Sequence, residues 1–157
     1  MFFTLTLLML WTPGLGVASD PFLAANPPTH FTNYTLAYRE AQRSKKPLLV
    51  ILNPGEEAAD VPVHLADVRK TEHRRKLLER YVVVMLDAST KHGETTHKLF
   101  DSRTLPHVSV IDHDQRWQLF RTSRKLQGDD WNKILVTFQN GESTASLNLD
   151  VPKPCPT

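Results

Sequence analysis

The chain has 157 residues, 40% of them hydrophobic, 8% aromatic and 23% charged, which is the composition of one ordinary globular domain rather than a disordered, collagenous or repeat protein. Nineteen Lys and Arg against seventeen Asp and Glu leave a formal charge of +2, too balanced for the concentrated positive field with which nucleic-acid binders capture phosphates. A single cysteine excludes an intramolecular disulfide, a Cys-x-x-Cys redox pair and a four-thiolate zinc site.

Residues 1–19 carry no charged side chain, and their apolar run from Phe2 to Trp11 is shorter than the roughly 20 apolar residues of a membrane span. Pro13, Gly14 and Gly16 break helical continuity, and Gly16, Ala18 and Ser19 supply small residues just before Asp20. The pattern predicts a signal peptide cleaved after Ala18 or Ser19, its positive end reduced to the terminal amine. Export to a secreted or periplasmic location follows, with no stable membrane anchor. Residues 20–30, containing Pro21, Pro27 and Pro28, read as an extended lead-in to a domain spanning 31–141. Asn33-Tyr34-Thr35 is a glycosylation sequon in a eukaryotic host, or Asn33 is the N-cap of the helix that follows.

Tyr34, Ala37, Tyr38 and Ala41 recur at i, i+3, i+4 and i+7 and predict an amphipathic helix to Ser44. Leu48-Leu49-Val50-Ile51-Leu52 is apolar throughout, as in a strand buried on both faces. After Asn53, Pro54 and Gly55, a helical region is expected through Val61, Leu65 and Val68, breaking near Thr71 and resuming to Arg80. Tyr81 to Asp87 is a second apolar strand, so that strand, helix and strand form a βαβ unit with a parallel pair. A short helix around Thr95 to Asp101 leads to a hairpin of His107–Ile111 and Trp117–Arg121, turned by Asp112 to Gln115. Trp131, Ile134, Leu135 and Phe138 mark a last helix, capped by Asp129 or Asp130 and ended by Gly141. The tail 142–157, with Pro152, Pro154 and Pro156, is expected to be extended or disordered.

This order, βαβ then ββα with a mixed central sheet flanked by helices, resembles the α/β thioredoxin-like fold. The stretch AYREAQRSKKPLLV from Ala37 to Val50 is similar to the entry into the first core strand of secreted thioredoxin-like proteins, and YVVVMLDA from Tyr81 is similar to the second. Thr104-Leu105-Pro106-His107 lies where that family places its cis-proline. The resemblance covers Phe31 to Gly141. It implies that Glu57 and Asp60 stand about where the family has its two cysteines, and that His107 faces the former redox site. Carboxylates cannot exchange disulfides, although they suit a helix N-terminus electrostatically.

A metal site would need three or four of His30, His64, His73, His92, His97, His107 and His113 to converge, with Asp60 or Asp114 completing the shell, yet no HxH or HExxH spacing occurs. Arg69 to Lys76 is the densest basic run and reads as a solvated helix face or a patch for an acidic partner. Ser44, Ser102 and Ser109 lack a GxSxG elbow, and there is no glycine-rich phosphate loop. The resemblance therefore implies a redox-inactive, cofactor-free module that binds another protein or an extended peptide through Glu57, Asp60, Leu105, Pro106 and His107. The alternatives are a monothiol oxidoreductase using Cys155 or a partner's cysteine, and a histidine metal binder. In an oxidising compartment Cys155 is also expected to pair between chains as a disulfide dimer.

Overall fold

The structure, a computed structural model, describes residues 30–55, 61–142 and 153–154. Its elements are α1 (Tyr34–Ser44), β1 (Leu48–Asn53), α2 (Leu65–Val68), α3 (Glu72–Leu78), β2 (Val82–Asp87), α4 (Lys91–Leu99), β3 (His107–Ile111), β4 (Trp117–Thr122), α5 (Gly128–Thr137) and β5 (Lys153–Pro154). The strands form one sheet in the order β2-β1-β3-β4-β5. β1 and β2 run parallel, with Leu48 opposite Val82 and Asn53 opposite Asp87. β3 is antiparallel to both β1 and β4, completing the mixed sheet.

Strand alternation divides the core into two layers. Leu49, Ile51, Val83, Val108 and Val110 face α2, α3 and α5, meeting Val68, Leu77, Trp131, Ile134 and Leu135. Leu48, Val50, Leu52, Val84 and Ile111 face the other way, onto Tyr34, Ala37 and Ala41 of α1 and Phe100 at the end of α4. The central strand β1 is thus buried on both sides, which is why its run is apolar without interruption.

The helix ends follow local chemistry. Asn33 caps α1, its Oδ1 accepting the Leu36 N–H at 3.1 Å. Lys45 closes the helix in the left-handed region at φ 54°. α4 begins at Lys91, earlier than the expected Thr95, because the Thr90 hydroxyl accepts the Gly93 N–H at 3.0 Å and starts the helix there. α5 is capped by Gln127 rather than by Asp129 or Asp130; Asp130 instead accepts the Gln127 N–H at 3.0 Å as the reciprocal half of a capping box. Val61 is exposed and outside any helix, so the region after β1 is shorter in helix than its periodicity implied. In the tail, Lys153 and Pro154 are extended and pair with Gln118 and Trp117 at the sheet edge.

Two polar side chains brace the layers. In the basic run, Arg74 is buried rather than solvated, donating to the Asp67 carbonyl at 2.9 Å. Tyr81 donates its hydroxyl to the Leu135 carbonyl at 2.8 Å, satisfying one of the last carbonyls of α5 that has no helical partner. Burial pushes the Tyr81 phenol well above its usual range. Tyr81→Phe should cost about 1 kcal/mol in urea unfolding, since it removes one buried hydrogen bond and strands the carbonyl. Among the described residues no helix is long and apolar enough to cross a membrane.

Candidate functional site

The C-terminal end of β1 and the loop entering β3 come together because Leu52 pairs with His107 across the sheet. That register sets Pro106 beside Asn53. The Leu105–Pro106 peptide bond is cis, as the resemblance implied. Asn53 shapes the same corner from the other side: its Nδ2 donates to the Val63 carbonyl and its Oδ1 accepts the Val63 N–H, both at 2.9 Å. This two-way clasp returns the chain to the end of β1 after residues 56–60. Glu57 and Asp60 fall in that stretch and lie outside the described residues.

Neither the N–H nor the C=O of Leu105 has a hydrogen-bond partner among the described residues, although the residue is only half-exposed. Backbone groups in such a position are normally paired, and an unpaired N–H and C=O on one residue of this bend can form the two bonds of a pairing with an incoming chain. No local sequence pattern announces this vacancy. It follows from where the cis bond turns the chain relative to β1.

His107 takes a different place from the expected one. Val108 and Val110 point toward α3 and α5, so His107 points to the opposite face, where its ring centroid lies 5.9 Å from that of Phe100. It is 3% exposed and does not present its ring to the surface at the end of β1. Its Nδ1 is 3.0 Å from Ser123 Oγ, which is 3.2 Å from Ser102 Oγ, which donates to the Thr104 carbonyl at 2.8 Å. A carbonyl only accepts, so the chain has one direction: the Nδ1–H donates to Ser123, Ser123 to Ser102, and Ser102 to Thr104. Ser123 is consequently not a nucleophile deprotonated by His107. The remaining ring nitrogen, Nε2, is buried and has no partner among the described residues. Burial first, then the Arg121 charge, then His97, hold the His107 pKa down to about 4, so the ring is neutral at ordinary pH.

Two other histidines serve separate local roles. His92 Nε2 accepts the Tyr34 N–H at 2.9 Å, and His113 Nδ1 lies 2.9 Å from the Gly141 carbonyl. No three of His, Cys, Asp and Glu converge as metal ligands among the described residues. The chain neighbour of Cys155, Pro154, pairs with Trp117, the first residue of β4. The cis-proline loop adjoins the other end of that strand, where Thr122 pairs with Val108. Five residues of rise separate those ends, roughly 17 Å.

No protein-family model matches the sequence, and no curated protein matches it. Solved structures do. A thioredoxin from Thermus thermophilus superposes with a TM-score of 0.53 at 16% identity, covering 71% of this chain and 89% of the other. The C-terminal domain of Neisseria meningitidis DsbD, in its oxidised form, gives 0.51 at 12% identity over 72% of this chain and 99% of that one. A DsbH oxidoreductase gives 0.50 at 15% identity over 78% and 90%. With a cis-proline at the head of β3 and one cysteine in the whole sequence, the chain has a thioredoxin-like fold that lacks the Cys-x-x-Cys motif.

Proposed function

We propose that this is a redox-inactive thioredoxin-like module that binds an extended segment of another protein at the cis-proline loop. The observation that carries the reading is the unpaired N–H and C=O of Leu105, next to the end of β1. A peptide pairing there would lie along Leu105 and Pro106, and Glu57 and Asp60 belong to the same proposed surface. His107 contributes from beneath, as the buried anchor of Ser102 and Ser123. Dithiol exchange needs two sulfurs at one site, and the chain has one cysteine.

Residues 1–19 act in this reading as the export signal, residues 20–30 as the lead-in, and the product works in a secreted or periplasmic setting. Asn33 keeps its Nδ2 without a partner among the described residues and so remains open to a glycan. Cys155 links chains as a disulfide dimer.

Two measurements test the reading together. In an insulin turbidity assay with dithiothreitol the protein should not exceed the uncatalysed rate; acceleration lost in Cys155→Ser would establish the monothiol alternative. Amide shifts in an NMR titration with carboxamidomethylated insulin B chain, an unfolded probe, should centre on Leu105 and Gly55. Shifts elsewhere, or none, would remove the peptide-binding role.

A further inference from the structure

Next to the cis-proline loop, on the His107 side of the sheet, a cleft of about 520 Å³ opens between the segment 101–103 and the end of β4 at 121–123. We infer that this cleft takes an acidic side chain of the bound segment, so that the preferred partner is an acidic extended peptide. The inference rests on the peptide-binding reading and adds the chemistry of its ligand.

Two guanidiniums, Arg103 and Arg121, line the cleft, and neither makes an ion pair among the described residues. Arg121 is half-buried on a strand, opposite Ser109, so its base is held by the sheet rather than by a loop. A partly desolvated guanidinium without a counter-ion is under-satisfied, and a carboxylate offers the planar, two-pronged acceptor that fits it.

The remaining lining explains why the anion must come from outside. The hydroxyl protons of Ser102 and Ser123 are committed within the chain that ends at Thr104. His107 is neutral above pH of about 4 and supplies no charge. Asp101 also lines the cleft but pairs with neither guanidinium among the described residues, so both stay available.

Arg103 precedes Leu105 by two residues in a run of bends, a separation of at most about 7 Å. A peptide paired with Leu105 rises about 3.3 Å per residue, so a Glu two positions along reaches the cleft. An acidic side chain in that position is held by the same pairing that aligns the peptide.

The test uses the full chain and two end-capped, rhodamine-labelled ten-residue peptides of Gly, Ser and Val, identical except that two Glu in one are Gln in the other. Anisotropy at low salt should show the Glu peptide binding about tenfold tighter, an advantage that shrinks as salt rises. Arg103→Gln, an exposed loop change with little effect on folding, should remove most of that advantage, and Arg103→Gln with Arg121→Gln all of it. Both variants should bind the Gln peptide as the wild type does, and Lys125→Gln should change nothing. Equal binding of the two peptides, or an advantage that survives the double variant, would overturn the acidic preference while leaving peptide binding intact. Competition at these arginines by inorganic phosphate, with neither peptide binding, would overturn the peptide as occupant and identify a small-anion site.

Discussion

Gly93→Ala is expected to be among the most damaging single substitutions in this chain, lowering stability by about 2 kcal/mol or more in urea unfolding. A Cβ added at Gly93 would stand 1.8 Å from the Asp87 carbonyl oxygen, 2.6 Å from its carbon and 3.0 Å from the Ala88 Cα. All three are backbone atoms at the end of β2, so no side chain can swing aside. The helix itself must retreat. The change also improves helix propensity by about 1 kcal/mol, which offsets only part of that cost. Retreat of α4 would pull His92 from the Tyr34 N–H and Phe100 from its edge-on contact with the Tyr34 ring, whose centroid is 5.7 Å away. Glu94→Ala, one residue along and exposed, provides the comparison: it should lose only its surface pair with Lys98, an effect small beside that of Gly93→Ala. A Gly93→Ala protein as stable as the Glu94→Ala one would mean that α4 does not seat against the end of β2.

The close approach at Gly93 also shows where the sequence was readable and where it was not. Elements whose burial is set by their own periodicity were legible. α1 buries Tyr34, Ala37 and Ala41 as its spacing implied, and α5 buries Trp131, Ile134 and Leu135. The two apolar strands and the hairpin follow for the same reason. Elements set by contacts between distant segments were not. The start of α4 depends on Thr90 capping a helix that presses on β2, and the run around it contains too few apolar residues to mark a face. Arg74 sits in a strongly basic run, yet it is drawn inward because the Asp67 carbonyl at the short helix before it accepts its guanidinium.

The site divides along the same line. The cis-proline was legible because its flanking residues resemble a family pattern, and the structure places it there. The orientation of His107 could have been obtained from the strand itself. With Val108 and Val110 directed at one core, period-two alternation sends His107 with Ile111 to the other. The open backbone at Leu105 and the Ser102–Ser123–His107 chain had no local signal, since they join segments that meet only in the folded sheet.

That chain makes His107 the origin of the second large effect, a loss of stability in acid. The folded ring titrates at about 4 against an ordinary value of 6.5, so between those pH values the unfolded chain binds a proton that the folded chain refuses. Stability attributable to His107 is therefore complete above pH of about 6.5, falls as pH drops through the window, and has no further to fall below about 4. A displacement of that size corresponds to about 3 kcal/mol at the acid end. The physical cause is local. Nδ1 already donates to Ser123, so a second proton would have to sit on Nε2, which is buried without an acceptor and lies within the field of Arg121. His107→Asn, whose amide nitrogen stands where Nδ1 does, can still donate to Ser123 but cannot titrate. Urea unfolding of both proteins from pH 7 to pH 4 should show the wild type losing the additional stability and the variant a flatter profile, so that their difference narrows or reverses in acid. Parallel profiles would show that the folded ring takes up its second proton as readily as the unfolded chain does, and would undo the claim that burial of Nε2 keeps it neutral.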